Sequence, residues 1–218
     1  LYDYFQEWQV SIHGQEGVTC VDCHGGNPKA MDKGKAHSSA LSQARAGAAV
    51  NSVNIPTTCG ECHDELFESY QKSKHAKLIA DKKQDKQGPN CVTCHGSLNA
   101  TRLTVNTVQK VCEQCHNAKS GNHAEIPAEA THLLNEMRAI RSYRQFVERR
   151  ADPAWAKEPV EKMQKGLSDL AITWHTFDLE PIKKQTEVLL LYSREQRHAV
   201  QGAHAPEAGS KAKPDVPK

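Results

Sequence analysis

Apolar side chains are scarce in this sequence, and that scarcity sets the first limit on its fold. They make up 38% of 218 residues and aromatics only 6%, poor material for a core built from protein alone. The length suits one domain, or two small ones. No apolar run approaches the roughly 18 residues that a membrane-spanning helix needs. No basic block suited to nucleic acid is present, and the formal charge is only +2. The chain opens on Leu1 rather than Met and shows no signal peptide, the expectation for a processed, exported form. No cysteine stands outside four short clusters. A disulfide framework, which places cysteines without regard to other residues, does not fit that pattern.

The clusters are Cys20-Val21-Asp22-Cys23-His24, Cys59-Gly60-Glu61-Cys62-His63, Cys91-Val92-Thr93-Cys94-His95 and Cys112-Glu113-Gln114-Cys115-His116. Each is a C-x-x-C-H box, the attachment signature of a c-type haem. Its two thiols reach the two vinyl carbons of one porphyrin, and the histidine falls under the iron as proximal ligand. Four boxes could also make two all-cysteine zinc sites, but zinc does not require a histidine after each second cysteine. The expected cofactors are therefore four covalently attached haems. Cys20, Cys23, Cys59, Cys62, Cys91, Cys94, Cys112 and Cys115 carry them, with His24, His63, His95 and His116 beneath. Four macrocycles also repair the apolar deficit. The fold class is mostly α with many loops, haem-cored and with minimal β structure, and without haem the first 130 residues should not fold. Such attachment places the protein in the periplasm or outside the cell. Each ferric haem with two ionised propionates adds about −1, which brings the holoprotein near neutrality.

Twelve histidines less the four in the boxes leave eight candidates for four distal positions. All-bis-histidine ligation is thus possible, and Met31, Met137 and Met163 are poorly placed as alternatives. Tyr2, Tyr4, Phe5 and Trp8 read as a short helix covering the first haem. They lead to His13, which could ligate a haem of its own chain or of a neighbouring molecule. The Ala-rich run to Val50 reads as a helix behind His37. Asp64 to Ile79 reads as one helix carrying His75. Trp8-x-x-Ser11-x-His13 recurs as Tyr70-x-x-Ser73-x-His75, an internal echo that favours both histidines. A lysine-rich loop follows from Asp81 to Gly88. Between boxes 3 and 4, Leu98 to Val111 is β-flavoured, a hairpin or an extended loop, and holds no histidine. Haem 3 must borrow its distal ligand from elsewhere or leave that position open.

The remaining chain reads as three helices, about Pro127–Arg150, Val160–Phe177 and Pro181–Val200. Their stripes are Leu133, Leu134, Met137, Ile140, Tyr143 and Val147; then Met163, Leu167, Leu170 and Trp174; then Ile182, Val188, Leu189, Leu190, Leu191 and Tyr192. Arg138, Arg141 and Arg144 face haem propionates or form a solvated face. His175, between Trp174 and Phe177, is a packed core residue or a ligand, and the ligand is favoured. His123 and His132 are further candidates, while His198 and His204 read as surface residues. Three regions result: a tetrahaem-binding region at 1–130, a C-terminal helical region at 131–200 that donates a distal ligand, and an extended tail at 201–218.

The four boxes, with Tyr70-x-x-Ser73-x-His75, His95-Gly96 and Trp174-His175, make the chain resemble the multihaem cytochromes c. Within them it is similar to the soluble tetrahaem cytochromes of nitrifying bacteria, the membrane-anchored quinol-oxidising tetrahaem cytochromes and the extracellular filament-forming cytochromes. The resemblance implies closely spaced haems in alternating parallel and perpendicular pairs, with distal histidines donated from far along the chain or across subunits. The expected function is electron transfer at low potential, with other redox proteins or terminal acceptors as partners and no catalysis. Filament membership, with His13 ligating across subunits, is one form of it. The alternative is a nitrogen- or sulfur-cycle redox enzyme with one open haem, box 3 being its natural place.

Overall fold

The computed structural model describes residues 2–37, 41–81 and 88–203. His204, the tail beyond it and most of the lysine-rich loop lie outside the described residues. Twelve helices and no strand occur among those described, in line with the all-α expectation.

The first nine helices are short. They are α1 (Tyr2–Val10), α2 (Ile12–Gln15), α3 (Cys20–His24), α4 (Lys33–Ala36), α5 (Ile55–Gly60), α6 (Asp64–Gln71), α7 (Lys74–Ala80), α8 (Cys91–His95) and α9 (Val105–Glu113). The last three, α10 (Ile126–Arg150), α11 (Pro153–Trp174) and α12 (Leu179–Ala203), pack on one another as a bundle. Helix α9 lies against α10, and α6 against α11.

Several boundaries differ from the sequence reading. The Ala-rich run after His37 is not a helix; residues 42–54 are a series of turns. Asn51 and Asn54 turn their side-chain amides onto the carbonyls of Gln43, Ala46 and Ala48, giving the backbone an alternative to the helical ladder. Val105–Glu113 is helical rather than β, because Thr104 and Thr107 form a reciprocal cap at its start. Asp152 accepts from the amides of Ala154 and Trp155 with Pro153 at the first helical position, so α11 begins at once and runs through Pro159. On α12, Ile182 and Leu190 are buried whereas Val188 and Leu191 are exposed. A helix of period 3.6 cannot turn a continuous apolar run inward.

The apolar core belongs almost wholly to the bundle. Ile140, Leu167 and Leu190 form one cluster, and Val147, Ala156, Met163 and Val200 a second. A third joins Val108 of α9 to Leu134, Met137 and Leu170 and touches Cys112 of box 4. Among the described residues before 100, only Ala48, Pro56, Tyr70 and Ile79 are buried apolar groups. Tyr2, Tyr4 and Phe5 stand largely exposed. Protein made without haem should therefore keep the α10–α12 bundle while residues 2–100 lose order. Hydrogen exchange would show protection confined to the bundle; native protection across α5–α8 would refute this.

Candidate functional site

The boxes are built in two alternating ways. Boxes 1 and 3 form their own one-turn helices, α3 and α8. Each starts with a side-chain cap, Thr19 with Asp22 or Asn90 with Thr93, and each ends on a glycine of positive φ, Gly25 at +72° and Gly96 at +79°. Boxes 2 and 4 instead continue preceding helices: Cys59 ends α5 and Cys112 lies near the end of α9. Neighbouring boxes lie close together. The Cys59 thiol hydrogen-bonds Cys91, which pushes Cys59 up and Cys91 down. Cys23 is raised by burial and then by Cys59. Cys94 is pushed up to about 11 by burial, then by Cys112 and Cys115. In space the order is 1–2–3–4.

The repeated aromatic–serine–histidine motif is a repeated structure. Ser11 caps α2 by accepting from the Gly14 amide at 3.0 Å, and Ser73 caps α7 by accepting from the Ala76 amide at 3.0 Å. Their backbone angles agree within two degrees, φ −71°, ψ 157° and φ −73°, ψ 158°. Both serines are 1% exposed. Trp8 Nε1 donates to the carbonyl of Val18, two residues before box 1, at 2.7 Å; Tyr70 Oη donates to that of Pro89, two before box 3, also at 2.7 Å. The expected single helix over 64–79 is thus broken at Lys72-Ser73 to make this cap. Each unit reads as aromatic, capped histidine, self-capped box, then helix-borne box.

Each capped histidine passes over the next box and meets the one after it. His13 lies 6.3 Å from His63, ring centre to ring centre, with planes at 58°. His75 lies 6.1 Å from His116 at 51°. His175, just past the end of α11, stacks on His95 at 6.0 Å and 15°. It is carried there by α6, whose Ser69 hydroxyl donates to the carbonyl of Ile172 at 2.5 Å.

These spacings fit an iron between two imidazoles. With a metal–nitrogen bond of about 2 Å on each side and the ring centre roughly 1 Å behind the nitrogen, trans imidazoles stand about 6 Å apart. The tautomers fit as well. His95 Nδ1 lies 2.8 Å from the carbonyl of Thr101, His116 Nδ1 2.9 Å from that of Asn122, and His175 Nδ1 2.7 Å from that of Ala171. A carbonyl can only accept, so Nδ1 carries the proton and Nε2 keeps a lone pair for a metal. Burial, and then the charge of His116, lowers His75 to about 4; burial also lowers His175. Both are neutral at pH 7, as ligation requires.

Box 1 differs. Gly26 at φ +99° receives the end of α4: a Cβ there would stand 2.7 Å from the Ala36 carbonyl oxygen. That contact holds His37 near box 1, yet His24 and His37 are both exposed and no ring pairing joins them among the described residues. His123 and His132 are not brought to a box histidine; they meet Glu125 and Glu136. His198 is exposed. Arg144 contacts Glu148, and Arg141 is lowered by burial and then by the charge of Arg102.

The family described as Cytochrome c552 matches residues 3–87, which hold boxes 1 and 2 with His13, His37 and His75. Cytochrome c-552 of Haemophilus ducreyi is 34% identical over 68 residues, 31% of this chain and 12% of that protein. Cytochrome c-552 of Haemophilus influenzae is 31% identical over 81 residues, 37% of this chain and 13% of that protein. The matches thus span about an eighth of those relatives. No solved structure matches the chain. Over the matched part the chain is similar to a c-type cytochrome, with the covalent haem and electron-transfer role general to that group.

The carbonyls of Thr101, Asn122 and Ala171 and the ring of Phe177 gave no signal in the sequence beyond lying within seven residues of a box or candidate histidine. Gly26 yields a direct test. Gly26→Ala should destabilise the holoprotein by about 1–3 kcal/mol, since both a left-handed φ and a backbone contact oppose a Cβ. A denaturation midpoint equal to wild type would contradict the packing of α4 on box 1.

Proposed function

We propose that the chain is a tetrahaem electron carrier whose irons are closed by pairs of histidines. What carries this reading is the repeated spacing of 6.0–6.3 Å between a box histidine and a histidine outside the boxes. In it, His63 and His13 hold haem 2, His95 and His175 haem 3, and His116 and His75 haem 4. His24 holds haem 1, with His37 as its distal partner. The eight cysteines attach the four haems, which supply reversible one-electron chemistry when bound. The adjacency of the boxes supports a continuous path from one end of the array to the other. Imidazole ligands without a thioether favour low potential. The facing cations Arg102 and Arg141 suit a haem propionate, because Arg102 directly follows the carbonyl that anchors His95.

His13 meets His63 of its own chain. This supports ligation within one molecule and removes the reason for requiring a neighbour to receive it. His13→Ala should therefore open one haem without changing molecular size; scattering that shows an assembly falling apart would restore the cross-subunit role. The enzyme alternative keeps one specific observation, the exposed and unpaired rings at box 1, whereas box 3, its expected place, faces His175. Carbon monoxide added to the reduced native protein should leave the spectrum unchanged. A change worth one haem in four that persists in His37→Ala would identify box 1 as open and favour the enzyme. His175→Ala should bind carbon monoxide at one haem, with all four still covalently attached.

A further inference from the structure

Three of the box and distal imidazoles around haems 3 and 4 are oriented by a hydrogen bond to a backbone carbonyl: His95, His116 and His175. His75 is the exception. Its Nδ1 is buried and has no hydrogen-bond partner. A histidine's ring torsion is broad and roughly two-fold, so neither its rotamer nor a carbonyl fixes the plane of this ring.

An aromatic ring stands where that restraint is missing. Phe177 meets His75 edge-on, centroids 4.5 Å apart and planes at 61°. The same ring lies 6.2 Å from His175 and 6.5 Å from Tyr70, whose hydroxyl is tied to Pro89. Phe177 thus sits between the distal histidine of box 3 and that of box 4. Its backbone has φ +53°, a left-handed conformation in the turn after α11 where glycine or asparagine is usual. For a bulky residue this is an outlier with a cost. The strained turn is what delivers the ring to His75.

We propose that Phe177 is a positioning residue for haem 4, its ring edge setting the plane of His75 in place of a hydrogen bond. The inference rests on the His75–His116 ligation proposed above. Two consequences follow from the chemistry of the ligands. A hydrogen bond at Nδ1 makes an imidazole more basic toward its metal. Haem 3 has two such imidazoles and haem 4 only one, so haem 4 has the higher potential of the two. Second, the angle between the ligand planes controls the ferric spectrum. Parallel rings split the iron d orbitals that overlap imidazole π electrons, and crossed rings bring them together. Haem 4, at 51°, therefore has a larger maximum g value than haem 3, at 15°.

The test uses the full chain with all four haems and reads the ferric electron paramagnetic resonance spectrum. Phe177→Leu keeps apolar volume without the ring. Phe177→Gly removes the ring and also relieves the backbone, so it folds even where Leu fails to mature. In both variants one low-spin signal, a quarter of the total, should shift and broaden while three stay in place, and Phe177→Tyr should restore the native position. Four unmoved signals would overturn the role of Phe177, as would shifts spread over all haems or loss of haem from both variants. A native protein in which box 4 is high-spin would instead overturn the ligand assignment on which the inference rests.

Discussion

Two imidazoles held about 6 Å apart and facing one another are a constraint that a polypeptide satisfies only with its backbone fixed on both sides. The architecture of the first 125 residues can be read as the means of satisfying it three times. Capped one-turn helices, glycines of positive φ and serines buried at helix starts all serve to place a histidine rather than to bury apolar surface. The bundle has the converse role. It holds most of the apolar core and lends a single histidine, at the end of α11, to a box that its own unit leaves without a partner.

The alternation of box types gives the chain an internal period longer than one box. A self-capped box ending in glycine is followed by a box carried on a helix, and the pair recurs. The capped histidine of each unit crosses the first box to reach the second. This explains why the count of residues between a box and the next histidine misleads: His13 and His75 each belong with a box beyond their nearest one. In both units the first box is left to find a ligand elsewhere. Box 3 meets His175 from the bundle, and box 1 has His37 beside it across Gly26.

Much of this was legible from the residues. The boxes stood out because cysteine occurs nowhere else. The echo of Trp8-x-x-Ser11-x-His13 in Tyr70-x-x-Ser73-x-His75 carried its own physics, since a serine two residues before a histidine is well placed to cap the turn that holds it. The three long helices followed from apolar stripes, and their ends from Pro127, Asp152 and Pro153. Less was legible where side chains compete with the backbone. Asn51 and Asn54 dissolve an Ala-rich helix, and the Thr104–Thr107 cap makes a helix from a β-rich stretch. Which histidine meets which box could not be read at all, because that depends on tertiary placement of segments up to 80 residues apart.

The stacking of His175 on His95 also fixes an order in time. Box 3 leaves the ribosome long before the end of α11, so its haem can be attached while the residue that faces it is still unmade or unfolded. During that interval the third site presents one bare axial face, open to water or to small diatomic molecules. Closure waits for the bundle to dock. Maturation of this array is therefore gated by its last third, and a chain cut short before Trp174 would keep an immature haem of this kind for its whole lifetime.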